Sequence, residues 1–115
     1  MRKNFGAKPY LYPQPVMIIG TYDENEKPNA MNAAWGGIVG REEIIIDLST
    51  HKTTENILKT KAFTVSIANV ENVVACDYVG LESANNTPDK MNKAGFTTTK
   101  SDFVNAPIIN ELPLT

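Results

Sequence analysis

The sequence predicts a mainly β, α+β fold in which antiparallel strands form a barrel-like sheet and three short helices lie between them. Three observations carry this expectation. Residues 16–22 are an apolar, β-branched run without helical periodicity, followed by a polar cluster at 23–27 and an extended returning segment, the spacing of a hairpin. Residues 62–67 set Phe63, Val65 and Ile67 in alternation with Thr64 and Ser66, the period of a half-buried strand. Three short segments carry the polar caps, early prolines or terminal glycines that mark helix ends.

The elements follow in order. The first strand is residues 16–22, turned by Asp23 to Lys27. The returning strand runs through residues 29–37, where Met31, Ala33 and Trp35 alternate with Ala30, Asn32 and Ala34. Residues 43–48 (EIIIDL) are strongly β-prone and lead into a hydroxyl-rich loop at 49–54 and a helix over 54–61. After the strand at 62–67, Asn69 can cap a helix whose apolar positions are Val70, Val73 and Val74 and which ends near Gly80. Thr87, Pro88 and Asp89 open a third helix that Gly95 stops. Residues 96–115 read as extended and turn-rich, and the last five look like the approach to another strand. The expectation is one domain over residues 1–115, incomplete at its C-terminus.

Composition narrows the function. Apolar residues are 42% before the 7 glycines are added, a globular proportion that excludes disorder and fibrous repeats. Eleven Lys and Arg against 13 Asp and Glu leave a net charge of −2, with no basic excess for a nucleic-acid backbone. No stretch approaches the roughly 20 apolar residues that cross a bilayer, and no signal peptide is visible, so a cytoplasmic chain without a membrane partner is expected. One cysteine, Cys76, and one histidine, His51, make neither a disulfide nor a multi-ligand metal site, and no metal is expected. No nucleophile elbow or dinucleotide glycine fingerprint is present, so no catalytic residue is assigned.

Three constellations carry chemistry. In the loop at 49–54, Ser49, His51, Lys52, Thr53 and Thr54 stand at a helix start, where unpaired N–H groups, hydroxyls and an ammonium can hold a phosphate. The plain alternative is that Thr53 caps the helix and Lys52 is solvated. In the segment 29–37, small Ala33 and Ala34 let a flat ligand approach the backbone, Asn32 offers a donor and an acceptor, and Trp35 offers an apolar wall. Its alternative is a small-residue strand with Trp35 as an ordinary core aromatic. Asp77 and Tyr78, with Lys90, could meet ligand polar atoms, or could be surface groups at helix ends.

Taken in order, MRKNFGAKPYLYPQPVMIIGTYD, KPNAMNAAWGG, HKTTENI, KAFTVSI, ACDYVG, PDKMNKAGF and NAPIINELPL resemble the flavin reductase-like family, in particular its flavoredoxin-type members. The resemblance implies an FMN-binding split β-barrel with short helices, lacking its C-terminal strands here, a noncovalent FMN, a homodimer, and electron exchange with NAD(P)H or a redox partner protein. It sets Asn32, Ala33, Ala34 and Trp35 against the isoalloxazine and Ser49, His51, Lys52, Thr53 and Thr54 around the ribityl phosphate. Asp77, Tyr78 and Lys90 match positions near the cofactor. Two features depart from the family: residues 40–44 lack paired prolines, and family members run well past residue 115.

Three functions remain open on the sequence: an NAD(P)H-dependent FMN oxidoreductase, a non-enzymatic FMN electron carrier, and a truncated structural domain that no longer holds FMN.

Overall fold

The computed structural model describes residues 1–115. Strand β1 (Met17–Tyr22) is the centre of a three-stranded antiparallel sheet, flanked by β2 (Pro28–Ala33) and β5 (Thr64–Ile67). Its apolar run is unbroken because both of its faces are covered. Ile18 packs into one cluster with Ala30, Cys76, Val79, Met91, Phe96, Ile109 and Leu112, while Met17 and Ile19 pack with Ala33 on the opposite face. The β1–β2 turn is built as expected: the Asp23 carboxylate accepts the N–H groups of Asn25 at 2.8 Å and Lys27 at 2.9 Å.

The returning strand is shorter than predicted. It stops at Ala33, and after a break at Ala34 and Trp35 the chain forms β3 (Gly36–Ile38), which pairs with β4 (Ile44–Ile46) as a separate hairpin. Gly36 lets β3 lie close against β4 and Met17, since a Cβ there would lie 2.5 Å from the Ile45 carbonyl and 2.6 Å from Met17 Cε. The strand expected at 43–48 keeps only its three isoleucines.

Helix α1 (Lys52–Thr60) begins two residues before its predicted start, with His51 at the cap position. Lys61, at φ 57, closes it by donating its N–H to the Ile57 carbonyl. Two amide–hydroxyl bonds, each 3.0 Å, fix the helix on the sheet: Asn29 Nδ2 donates to Thr53 Oγ1, and Asn56 Nδ2 to Thr21 Oγ1.

Strand β5 is half-buried as its alternation indicates, and its polar face is the more deeply buried one. Thr64 and Ser66 are buried, while Phe63 is 39% exposed and Val65 and Ile67 are only partly covered. The hydroxyl face wins because it finds acceptors inside: Thr64 donates to the Pro107 carbonyl, and Ser66 pairs with Thr115 Oγ1 at 2.8 Å.

Helix α2 (Val73–Leu81) starts three residues after Val70. Asn69 shapes the turn ahead of it, accepting the Asn72 N–H at 3.2 Å. Cys76 and Val79 face the core, whereas Val70, Val73 and Val74, expected to be its apolar face, are exposed. Gly80 is a contact and not a stop: a Cβ there would sit 2.7 Å from Asn32 Cβ, so its hydrogen lets α2 lie against β2. In α3 (Lys90–Ala94) the cap is Asp89, because the Thr87 hydroxyl is spent on Glu82 at 2.9 Å. Gly95 at φ 76 ends α3 as the sequence indicated, its N–H reaching the Met91 and Asn92 carbonyls.

The stretch read as extended and turn-rich contains a third hairpin, β6 (Thr98–Lys100) with β7 (Pro107–Ile109). Strand β7 lies under β1, where Gly20 leaves room for the Pro107 carbonyl. Leu114 reaches the edge of β5, accepting the Ile67 N–H at 2.9 Å. All strand pairs are antiparallel, as the hairpin spacing implied. No helix is long and apolar enough to cross a membrane.

Candidate functional site

A groove runs between the exposed face of β2, the first turn of α1 and the C-terminal end of α2. It has two lobes, of about 190 and about 400 Å³, that share Met31, Asn32 and His51. Their joint size suits a cofactor-sized ligand, because such sites usually occupy about 300–1,000 Å³.

The smaller lobe lies over the helix start. The N–H groups of Lys52, Thr53 and Thr54 find no backbone acceptor, since the helix ladder begins with Glu55 donating to the His51 carbonyl at 3.1 Å. No side chain caps them, which leaves the positive end of α1 open to an anion. Lys52 adds an ammonium whose nearest carboxylate oxygen, on Glu55, is 3.9 Å away. Thr53 lines this lobe but is buried and committed to Asn29, so it positions the helix first and has one hydroxyl proton left to give. The alternative in which Thr53 caps α1 does not hold, because it stands inside the first turn.

Ser49 and His51 line the larger lobe, and Ser49 Oγ lies 2.8 Å from His51 Nε2. Thr54 does not line either lobe; it donates to the Ser49 carbonyl at 2.6 Å and so fastens the loop onto the helix. Ala33, Ala34 and Trp35 line the same lobe. Trp35 is 50% exposed, which removes the reading of it as a core aromatic. Ala33 is buried against Met17 and Ile19, so it bears on a ligand chiefly through its backbone.

Lys90 closes the smaller lobe from α3. Its ammonium, on a residue only 3% exposed, donates to the Val79 carbonyl at 3.1 Å, in the last turn of α2, and to the carbonyl of its cap residue Glu82 at 2.8 Å. Burial pulls its pKa down to about 8, against a smaller opposing influence from Glu82.

Asp77 and Tyr78 are not brought to the groove. At 100° per residue, a helix that turns Cys76, Val79 and Gly80 toward the sheet carries positions 77 and 78 round to other sides. Asp77 borders an apolar depression with Val16 and Val73, and Tyr78 one with Val74 and Lys93.

Asn29 and Gly80 line the groove and were not singled out from the sequence. Asn29 is buried, its Nδ2 is held by Thr53, and its Oδ1 has no partner. Its signal was available, one of two amides in a short strand whose other residues are small or apolar. Gly80 had none, because its role depends on a neighbour 48 positions away, Asn32.

The model of the family described as "Flavin reductase like domain" matches residues 10–115. The chain belongs to this flavin reductase-like family. No curated protein matches it. Among solved structures, it is similar to flavoredoxin of Desulfovibrio vulgaris (Miyazaki F), at 37% identity and a TM-score of 0.90 over 96% of this chain and 62% of that one. It is also similar in fold to an FMN-binding domain of a flavin reductases-like enzyme from Shewanella baltica OS155, at 19% identity and 0.79, covering 86% and 53% of the two chains. A flavoredoxin from Methanosarcina acetivorans matches at 22% and 0.77, covering 96% and 60%. The flavin reductase-like chain described here therefore spans a little over half to three-fifths of the length of these structures. Its fold is that of the family's split barrels, an α+β arrangement of mostly short strands with short helices.

Proposed function

We propose that this flavin reductase-like chain binds FMN in the two-lobed groove and transfers electrons through it. One observation carries the reading: an uncapped helix start with a nearly free lysine opens into the same groove as a flat wall of Ala34 and Trp35. A phosphate and a planar ring are the two halves of FMN, and the donors present suit each.

The uncapped N–H groups of α1, Lys52, Ser49 and His51 hold the phosphate by charge-assisted hydrogen bonds. Asn32 and the backbone of Ala33 and Ala34 meet the ring edge, and Trp35 shields its face from water. Lys90, with one ammonium proton unspent, adds positive charge to the smaller lobe, where the phosphate end of FMN would lie. When bound, FMN supplies hydride acceptance at N5 and onward electron transfer, chemistry that asks no side chain to act as acid or base.

NAD(P)H is the proposed donor, and flavin or another acceptor takes the electrons. Likeness to a flavoredoxin at 37% identity supports a second reading, an electron carrier that serves a redox partner protein. A homodimer in the cytoplasm is proposed with either. The test is an absorbance spectrum after FMN addition and desalting, followed by NADH and NADPH oxidation with free FMN. Retained flavin bands with steady turnover are expected of the oxidoreductase, and retained bands with negligible turnover mark the carrier. A well-folded, colourless protein overturns both.

A further inference from the structure

Residues 1–16 form an arm that the body of the fold does not hold. Every residue from Met1 to Pro13 is exposed. The arm's hydrogen bonds close within it: the Gly6 N–H donates to Asn4 Oδ1 at 2.8 Å, the Tyr10 N–H to the Lys8 carbonyl at 2.9 Å, and the Gln14 amide to the Leu11 carbonyl. Its aromatic contact is internal too, Phe5 standing edge-on to Tyr10 with ring centres 5.9 Å apart. The molecule is correspondingly elongated, 56 Å along one axis against 30 and 27 Å along the others. Its radius of gyration is 15.2 Å, where a compact chain of about 100 residues has about 13 Å.

The arm does not have the composition of a solvated tail, which is polar and poor in aromatics. Phe5, Tyr10, Leu11 and Tyr12 are each more than half exposed. Pro9, Pro13 and Pro15 stiffen the stretch that carries three of them, which lowers the entropy lost when it docks. Arg2, Lys3 and Lys8 make the arm cationic, no acidic residue precedes Asp23, and none of the three cations is in an ion pair.

A surface of matching character begins where the arm ends. Val16, Ala68, Val70, Val73 and Cys76 line an apolar depression of about 410 Å³ at the start of α2. Val70, Val73 and the neighbouring Val74 are all more than half exposed, although a surface helix ordinarily turns such residues inward. The border is acidic: Asp77 lines the depression, Glu71 follows Val70, and both are exposed and in no ion pair. The depression shares Asn32 with both lobes of the groove, so whatever covers it borders the groove as well.

We infer that the arm lies across this depression on a second copy of the chain, and that two copies exchange arms about a two-fold axis near Val16. The inference names the surfaces of the homodimer proposed above and rests on that proposal. A two-fold contact needs a surface complementary to itself, and each copy offers both halves, a cationic apolar arm and an acidic apolar depression. Seating Phe5, Tyr10, Leu11 and Tyr12 covers roughly 400 Å² per arm, given the 150–250 Å² that one aromatic can bury. With the matching area of the depression, and two arms, the contact reaches roughly 1,600 Å², the size of a stable interface.

Sedimentation velocity of the full chain over a range of concentrations gives the mass in solution, and a dimer is expected. Leu11→Ser with Tyr12→Ser, and separately Val73→Lys, are each expected to raise its dissociation constant about tenfold or more. Circular dichroism should not change in either variant, because these side chains are exposed in the single copy. A double variant, Leu11→Cys with Val73→Cys, treated with a short bismaleimide, decides which copy the arm reaches. The expected product has twice the mass of one chain, and Cys76, 1% exposed, stays out of the reaction. A monomeric parent overturns the homodimer and the arm exchange together. A dimer that neither variant weakens overturns the arm exchange alone. Cross-linking within a single chain also overturns it, by seating the arm on its own copy. None of these readouts uses FMN, so they decide the inference whether or not the flavin reading holds.

Discussion

The Asn29 amide donates to the Thr53 hydroxyl at 3.0 Å, and this buried bond ties the first turn of α1 to strand β2, the two walls of the groove. Asn29→Ala removes the donor and leaves Thr53 without its partner. A loss of about 1–3 kcal/mol in unfolding free energy is expected, read from urea denaturation. Thr53→Ala should cost a similar amount, and the double variant less than their sum, because the two residues share one interaction.

Gly80→Ala tests the approach of α2 to β2. Alanine is the better helix former by about 1 kcal/mol, but its Cβ would stand 2.7 Å from Asn32 Cβ, inside any permitted contact. Overpacking of that kind costs about 1–3 kcal/mol, so the steric effect is expected to outweigh propensity and destabilise the chain. Weaker flavin binding should accompany it. A variant more stable than the parent would show that α2 is free to move away from Asn32.

Lys90 carries a pH dependence. Its folded pKa of about 8 is below the ordinary lysine value of 10.5, so between these values the unfolded chain binds the proton that the folded chain has released. Stability contributed by this group therefore rises as pH increases from about 8 toward 10.5, and is at its lowest below pH 8, where the ammonium is buried charged. The difference between the urea midpoints of the parent and Lys90→Met, followed from pH 7 to 10, is expected to shift in favour of the parent. A constant difference would place Lys90 in solvent.

Lys52→Ala should weaken FMN by about three- to tenfold at low salt and leave riboflavin nearly unaffected, because only FMN carries the phosphate. Fluorescence titration of the two flavins gives the ratio. Equal losses for both would remove Lys52 from the phosphate end.

Trp35→Ala separates ligand wall from core. A half-exposed side chain contributes little burial, so a change below about 1 kcal/mol in stability is expected. Flavin affinity should fall clearly. An unfolded variant would return Trp35 to a structural role.

Several features were legible because their causes are local. The unbroken run of β1, the Asp23 turn and the Gly95 stop depend on residues within a few positions, and each lies where the sequence put it. The helix start beside Ser49, His51 and Lys52 was legible for the same reason, though its cap fell one residue before Lys52 and not at Thr53. For strand β5 the alternation says only that two faces differ, and a partner such as Pro107 decides which lies deeper. The β6–β7 hairpin was missed because three-residue strands carry almost no periodic signal.

The sequence by itself determined that this chain forms antiparallel strands with short helices and that a helix starts at the hydroxyl-rich loop 49–54, since strand period, turn chemistry and helix starts are properties of neighbouring residues. Tertiary structure alone decided that Asn29 and Gly80 belong to the groove, that Asp77 and Tyr78 do not, and that Lys90 is buried under the end of α2. The physical reason is that burial, close approach and an unpaired hydrogen bond are relations between distant segments, and they acquire values only when the strands and helices pack.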